Sequence, residues 1–244
     1  MKKYFGTDGI RGNAEKLLTQ EFLFKVGVAI AKTLKTDYVV IGNDPRESAK
    51  RIIEDLSFGI RKEGIDVYYA KDVTTPMLVY YSLKKQVVGI MITASHNLYY
   101  DNGIKIFNKG YKLDETTEEK IEFLINNPQA SQNKNGSFFS FEDVTTTYLD
   151  FIMSLDFKFK DLDFGVDCAN GASYKIAPLI FKHYFTKFKA YNIKPDGKNI
   201  NKNVGSTNLA FIQQKVIKNK HEIGFAFDGD ADRCLIVDKN GNII

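Results

Sequence analysis

Strand-like and helix-like segments alternate along this chain of 244 residues, and that alternation restricts the fold more than any other feature. Short runs rich in β-branched residues occupy residues 38–41, 66–70 and 87–93. Helical periodicity lies before and between these runs, at residues 20–34, 48–62 and 77–83. Because parallel strands need crossover helices, the pattern predicts a mixed sheet that is covered by helices on both faces.

The same alternation begins again in the second half of the chain. Predicted strands at residues 164–167, 188–193 and 223–227 are separated by predicted helices at residues 172–185 and 209–220. The sequence therefore predicts two tandem α/β domains with mixed, mainly parallel sheets.

We expect the first domain to cover residues 1–155 and the second to cover residues 156–244. The polar stretch 126–137 is predicted to be a surface loop, because a helical pattern resumes at residues 141–155. The polar connection 198–207 is expected to cap the following helix through Ser206 or Thr207.

Three carboxylates follow the predicted strand at residues 223–227. Asp228, Asp230 and Asp232 alternate with small residues, which permits a tight turn. Hard cations such as Mg²⁺ prefer oxygen ligands in a compact shell. The spacing therefore predicts a site for a divalent metal ion.

A serine follows the predicted strand at residues 87–93 in a comparable position. Ser95 has the imidazole of His96 beside it and the amine of Lys105 downstream. A serine can carry a covalent group when neighbouring groups manage its proton and stabilise the transferred charge. Near the start of the chain, the glycines that surround Arg11 would let backbone amides and a guanidinium approach a phosphate.

Four segments, taken in order, resemble the α-D-phosphohexomutase family. They are FGTDGIRG at residues 5–12, TASHN at 93–97, NGIK at 102–105 and DGDADR at 228–233. The longer sequence segments, including VDCANGAS at 166–173, are most similar to those of bacterial members that interconvert glucosamine 6-phosphate and glucosamine 1-phosphate for cell-wall precursors. Members that act on mannose or glucose phosphates share the same segments, so the resemblance leaves those sugars as alternatives.

The resemblance implies a role for each matching residue. Ser95 would be the phosphoserine that gives its phosphoryl group to a hexosamine phosphate and recovers one from a bisphosphate intermediate. Asp228, Asp230 and Asp232 would hold Mg²⁺ together with a phosphate oxygen on Ser95. Arg11, His96 and Lys105 would surround the transferring phosphoryl group, with His96 and Lys105 as the candidates that move its proton. Asn97 and Arg233 would be further groups that contact the phosphate or the substrate.

Charge counting supports a site of that composition. Two like unit charges 4 Å apart repel by about 4 kcal/mol at an effective dielectric constant of 20. A phosphoserine beside three carboxylates therefore needs cations. A divalent metal with Arg11, Lys105 and Arg233 comes close to balancing the charge.

Two departures limit the resemblance. Leu98 stands where the family's serine loop usually has proline, so the loop lacks a residue that would fix φ and stiffen it. Family members have four domains, and this chain matches the first two. We therefore expect a fragment with the phosphoryl donor and the metal site, and with weak turnover by itself.

Composition excludes some other classes of function. A net charge of +4, with lysines scattered among acidic residues, gives no support for nucleic-acid binding. No apolar run predicts a membrane span or a signal peptide, so we expect a cytoplasmic protein.

Cys168 and Cys234 are predicted to be buried thiols. A binding module for phosphate and metal, without catalysis, stays open as an alternative.

Overall fold

The computed structural model describes residues 3–159 and 161–244. Within the described residues, the strands are β1 (Phe5–Gly6), β2 (Gly9–Asn13), β3 (Tyr38–Asn43), β4 (Asp66–Asp72), β5 (Val88–Ile92), β6 (Asp101–Asn108), β7 (Tyr111–Lys112), β8 (Phe138–Ser140), β9 (Phe164–Asp167), β10 (Phe188–Tyr191), β11 (Ile223–Phe227) and β12 (Cys234–Asp238). The helices are α1 (Gln20–Thr33), α2 (Ala49–Arg61), α3 (Thr75–Lys85), α4 (Glu115–Asn126), α5 (Asp143–Met153), α6 (Ser173–Tyr184) and α7 (Ala210–Asn219).

The first sheet combines a parallel part with an antiparallel part. Its strand order is β1-β2-β6-β5-β3-β4-β8, and β7 pairs with β6. The strands from β5 to β8 in that order are parallel, whereas β6 runs antiparallel to both β5 and β2. This reversal brings β6 and the N-terminal strands beside the carboxyl end of β5.

Helices cover both faces of the first sheet, as the sequence predicts. Along β3, Val39 and Ile41 face the core formed with α1, α2 and α4, whereas Val40 faces the core that contains residues of α3 and α5. This alternation follows from the two-residue period of a strand. A strand that is buried on both faces is apolar at successive positions, and for this reason the sequence pattern predicted β3.

The second sheet has the order β10-β9-β11-β12, with β12 antiparallel at one edge. Its strands β10, β9 and β11 are parallel. Phe164 and Val166 of β9 pack with Ala177 of α6, and Ala226 of β11 packs with Ile212 of α7. The predicted repetition of the α/β unit is therefore confirmed.

Several sequence expectations need correction. The sequence missed β6, α4 and β8, and β8 adds a parallel edge strand to β4. The expected cap of α7 was wrong, because its N-cap is Leu209 and has no side-chain capping bond. Cys168 is buried, but Cys234 is exposed because it lies on the edge strand β12.

The expected domain boundary falls in the segment that joins the two sheets. Residue 155 lies after α5, and the second sheet starts with β9. The exact division between residues 155 and 156 stays a prediction. Among the described residues, no helix combines the length and the apolar character that crossing a membrane would require.

The crossing of α1 and α2 generates a stability prediction. A methyl group on Gly27 would lie 2.3 Å from the carbonyl oxygen of Leu56, so the two helix backbones would have to separate. We expect Gly27→Ala to lower the free energy of unfolding by roughly 1 to 3 kcal/mol, as measured by urea denaturation. Gly6→Ala is the matched control, because its methyl group would lie 3.8 Å from the nearest atom. Equal stability of the two variants would contradict the close helix contact.

Candidate functional site

The site forms where the carboxyl ends of strands from both sheets meet. Ser95 follows β5, and Asp228 follows β11. The Ser95 hydroxyl donates a hydrogen bond of 2.5 Å to Oδ2 of Asp228, across 133 residues of sequence. Both residues are buried. The predicted serine and the predicted carboxylate turn therefore lie in direct contact.

The three carboxylates of the turn form one cluster. Asp228, Asp230 and Asp232 each offer an oxygen, and these oxygens lie within 4.8 Å of one another. Asp228 and Asp230 are fully buried, whereas Asp232 is exposed. Burial, reinforced by the negative charge of Asp230, raises the pKa of Asp228 to about 7. The cluster is therefore electrostatically costly when no metal ion is bound.

The cluster has the chemistry of a metal site. Hard divalent cations are held by several oxygen ligands, and carboxylates are their usual protein ligands. Oδ1 of Asp230 is buried and has no hydrogen-bond partner among the described residues. A buried acceptor without a partner is rare, because its desolvation is not compensated. The described residues thus include a cluster of carboxylates that fits a divalent cation.

Lys105 lies at the centre of the acidic groups. It projects from β6, and its Nζ contacts Asp230 and Asp232 at 2.7 Å each and Asp8 at 2.8 Å. Burial by itself would lower the pKa of Lys105, but the charge and hydrogen bonds of Asp230, with those of Asp232 and Asp8, raise it above its ordinary value. Lys105 is therefore an ammonium ion that partly neutralises the cluster.

An open cleft lies beside the cluster. Its volume is about 610 Å³, and its lining residues are Gly6, Thr7, Asp8, Gly9, Arg11, Lys112, Asp232 and Arg233. The guanidinium of Arg11 forms no hydrogen bond or ion pair with any part of the chain that the structure describes. An unpaired guanidinium in a cleft is suited to bind a phosphate oxygen pair.

His96 connects the serine to the cationic side of the cleft. Its Nδ1 lies 3.5 Å from the Ser95 hydroxyl oxygen and 3.1 Å from Nη1 of Arg233. Burial, followed by the positive charges of Arg233 and Arg11, lowers the pKa of His96. His96 is therefore neutral at neutral pH and retains a nitrogen lone pair that can accept a proton.

Asn97 is placed differently from the other predicted residues. Its side-chain amide donates to Oδ2 of Asp101 at 3.0 Å, within the serine loop itself. This bond closes the loop between β5 and β6. In this structure the side chain of Asn97 therefore supports the loop, and its expected contact with substrate stays a prediction.

Sequence reasoning missed several residues that shape the site. Thr75, at the start of α3, donates to Oδ2 of Asp230 at 2.5 Å. Asp8 binds both Lys105 and Lys112, at 2.8 and 2.6 Å. Asp8 could have been found from its place in the glycine-rich N-terminal segment. Thr75 had no such signal, because it is the first residue of α3 and directly follows the N-cap, Thr74, so its place in the sequence indicates only the start of a helix.

Close backbone packing explains the small residues of the carboxylate turn. A methyl group on Gly229 would lie 2.5 Å from the carbonyl oxygen of Ser95. Any side chain at this position would push the turn away from the serine loop. Gly229 thus permits the short distance between Ser95 and Asp228.

The fold and the site define an α/β protein in which a serine hydroxyl and a carboxylate cluster meet at the strand ends of two sheets. Residues 2–132 match the family described as phosphoglucomutase/phosphomannomutase, alpha/beta/alpha domain I. Residues 146–241 match alpha/beta/alpha domain II of the same family. The chain belongs to the phosphoglucomutase/phosphomannomutase family.

Individual relatives agree with that assignment. A phosphoglucosamine mutase from Caldicellulosiruptor bescii is 44% identical over 257 aligned residues, which cover 100% of this chain and 57% of that protein. A phosphoglucosamine mutase from Pseudoalteromonas atlantica is 39% identical, with the same coverage of both proteins. The crystal structure of a family member from Burkholderia thailandensis has a TM-score of 0.85 and 26% identity, covering 96% of this chain and 54% of that one. The chain therefore spans little more than half the length of these relatives.

The repulsion within the cluster generates a pH-dependent prediction. The raised pKa of Asp228 penalises the folded state increasingly as the pH rises from its ordinary value of 3.8 to about 7. In metal-free buffer with a chelator, we expect Asp228→Asn to be more stable than the parent chain at pH 8, by roughly 1 to 3 kcal/mol. The difference should be small at pH 4 and should shrink towards zero as the pH falls below the ordinary value of 3.8, because Asp228 is then protonated in both states.

Chemical denaturation at several pH values would measure this difference. The exposed carboxylate Asp156 provides the matched control, and Asp156→Asn should show no such pH dependence. A stability difference for Asp228→Asn that is the same at pH 4 and pH 8 would contradict the electrostatic cause.

Proposed function

We propose that this chain carries the phosphoryl-donor and metal-binding part of a phosphohexomutase, and that Ser95 is the residue that carries the phosphoryl group. The observation that carries the proposal is the contact between the Ser95 hydroxyl and Asp228 at 2.5 Å, within a cluster of three carboxylates. This contact places the hydroxyl oxygen of Ser95 within reach of a cation held by the carboxylates. The cationic cleft beside it supports a substrate that bears phosphate.

The proposed transfer has a simple balance of bonds. The bond between phosphorus and the Ser95 oxygen breaks, and a bond forms between phosphorus and a hydroxyl oxygen of the sugar phosphate. The sugar hydroxyl loses its proton, and the Ser95 oxygen gains one. A second transfer, from the other phosphate of the bisphosphate back to Ser95, gives the isomeric sugar phosphate and restores the donor.

The surrounding residues divide the roles that this transfer needs. His96 is neutral and can accept the proton, because burial and then the nearby guanidinium groups lower its pKa. Lys105 is an ammonium and supplies positive charge, because its carboxylate partners raise its pKa. Arg11 and Arg233 line the cleft where the negatively charged phosphoryl oxygens would lie. Positioning and charge are the main contributions of protein groups to phosphoryl transfer.

We propose Mg²⁺ as the cation of the carboxylate cluster, with Asp228, Asp230 and Asp232 as ligands and the phosphate on Ser95 as a further ligand. When bound, Mg²⁺ would neutralise charge on the transferred phosphoryl group. The buried, unpartnered Oδ1 of Asp230 supports this assignment. Lys105 occupies Oδ2 of the same carboxylate, so the two cations would share it.

We propose a hexosamine phosphate as the substrate. The two relatives named above are phosphoglucosamine mutases, and they are 44% and 39% identical over the whole of this chain. Phosphorylated glucose or mannose would be recognised by the same donor groups. A comparison of the three sugar phosphates as acceptors would therefore test this part of the proposal separately.

The donor assignment predicts a specific phosphorylation. After incubation with glucose 1,6-bisphosphate and Mg²⁺, we expect one phosphate on the peptide that contains Ser95, and its loss when glucosamine 6-phosphate is added. Peptide mass spectrometry measures both steps.

Ser95→Ala should take up no phosphate, whereas Ser173→Ala, which alters another buried serine, should behave like the parent chain. Phosphate transfer that survives in Ser95→Ala would refute the assignment. Binding of the bisphosphate without transfer would favour a non-catalytic binding module.

The metal assignment predicts a loss of Mg²⁺ affinity. We expect Asp230→Asn to weaken Mg²⁺ binding at least about tenfold, because it removes one charged ligand from a small set. Isothermal titration calorimetry measures the dissociation constant directly. Asp156→Asn removes an exposed carboxylate outside the cluster and serves as the control. Unchanged affinity in Asp230→Asn would place the cation elsewhere.

A further inference from the structure

A buried arginine contacts the serine loop from behind. Arg46 follows β3 and is 2% exposed. Its Nη1 donates to the carbonyl oxygens of Leu98 and Asp101, at 2.6 and 3.0 Å. Its Nη2 donates to the carbonyl oxygen of Ser95 at 2.9 Å, and its Nε donates to Asp44 at 3.0 Å. One planar side chain thus binds three carbonyl groups of a single loop.

A second side chain reaches the same loop from the other half of the chain. Asn201 lies in the connection between β10 and α7, and its Nδ2 donates to the carbonyl oxygens of Ser95 and Asn97 at 2.8 and 3.0 Å. The backbone amide of Asn201 donates to the carbonyl oxygen of Ala169. The serine loop is therefore attached to the second sheet as well as to the first.

Asp44 links the arginine to the serine backbone. Both Asp44 and Arg46 have fully buried side chains. Oδ2 of Asp44 also accepts from the hydroxyl of Thr93 at 2.6 Å, and Oγ1 of Thr93 accepts from the amide of Ser95 at 2.9 Å. Burial raises the pKa of Asp44, whereas Arg46 and Thr93 oppose that rise. The amide and the carbonyl of Ser95 are thus held by one connected network.

The serine loop needs these contacts because its own sequence does little to fix its conformation. Ser95 has a φ of 53°, a left-handed conformation that is unfavourable for a residue with a side chain. Strained residues of this kind persist only when the surrounding structure holds them. Leu98 does not restrict φ as proline would. The conformation of the loop therefore depends on tertiary contacts.

We propose that Arg46 and Asn201, here called the carbonyl clamp, are positioning residues that hold the serine loop so that the Ser95 hydroxyl faces Asp228. Within the serine loop the clamp binds backbone carbonyl groups, and it acts through the backbone of Ser95. Because it describes how the proposed phosphoryl donor is positioned, this inference rests on the proposed function. The clamp also makes that position depend on both halves of the chain, since Arg46 follows β3 and Asn201 precedes α7.

Two substitutions test the clamp separately. Arg46→Lys keeps a positive charge beside Asp44 but cannot span three carbonyl groups with a planar fork. Asn201→Ala removes only the second anchor. In native-state hydrogen exchange of the 244-residue chain, we expect the amides of residues 95–101 to exchange about tenfold faster or more in each variant, because local opening becomes easier. Exchange in β9 and α7 should stay unchanged, which separates loss of the clamp from general destabilisation.

Each variant has a matched control in the same part of the chain. Arg51 also donates to two backbone carbonyls, those of Ala14 and Leu18, but in a different loop. Arg51→Lys should speed exchange at residues 14–18 and leave residues 95–101 as they are. Asn199 binds the carbonyl oxygen of Lys194, and Asn199→Ala should likewise leave the serine loop unchanged.

A kinetic measurement separates positioning from binding. In the transfer from glucose 1,6-bisphosphate to Ser95, we expect Arg46→Lys to lower the maximal rate about tenfold or more, with a half-saturating concentration within about twofold of the parent value. A rise in the half-saturating concentration with an unchanged maximal rate would overturn the positioning role.

The hydrogen-exchange experiment tests the clamp even if no phosphoryl transfer to Ser95 is observed. Unchanged exchange at residues 95–101 in both variants would overturn the clamp, as would equally faster exchange in every element. If Arg46→Lys does not fold, Asn201→Ala decides alone. If the parent chain accepts no phosphate, the proposed function fails, and the exchange rates still decide whether the clamp holds the loop.

Discussion

The rest of the site depends on the concentration of negative charge at the carboxyl end of β11. Asp228, Asp230 and Asp232 lie so close together that they need a cation nearby, and two of them are buried where water cannot screen them. Lys105, which projects from β6, supplies part of the positive charge that the carboxylates need. The antiparallel direction of β6 therefore has a functional consequence, because it brings an ammonium to the strand ends where the carboxylates lie.

Several of the contacts that join the two halves of the chain also build the site. Thr75 binds Asp230, the Ser95 hydroxyl binds Asp228, and Asn201 binds the carbonyl of Ser95, each across more than a hundred residues of sequence. A change in the relative position of the sheets would therefore alter the serine and the carboxylates together. For a transfer reaction, such coupling fixes the geometry between the donor and the proposed metal ion.

Sequence patterns predicted the central strands of both sheets and missed strands at other places, and the burial and composition of each strand explain the difference. The strands β3, β5 and β9 are buried, β11 is half-buried, and all four are largely apolar, so each was visible as a short β-branched or aromatic run. Strand β6 was missed because it begins with the polar residues Asp101 and Asn102, which resemble a loop. The short edge strand β8 follows a polar stretch and is stabilised by its pairing with β4, which no local pattern records.

By itself, the sequence determined the succession of strands and helices and the chemical groups that follow β5 and β11, because hydrophobic periodicity and residue type are local properties. Only the tertiary structure decided that Ser95 lies against Asp228, that Lys105 is bound by three carboxylates, and that Arg46 and Asn201 hold the serine loop. These contacts join residues that are far apart in the chain. Their distances depend on strand order, on strand direction and on how the two sheets pack, and no short stretch of sequence encodes those properties.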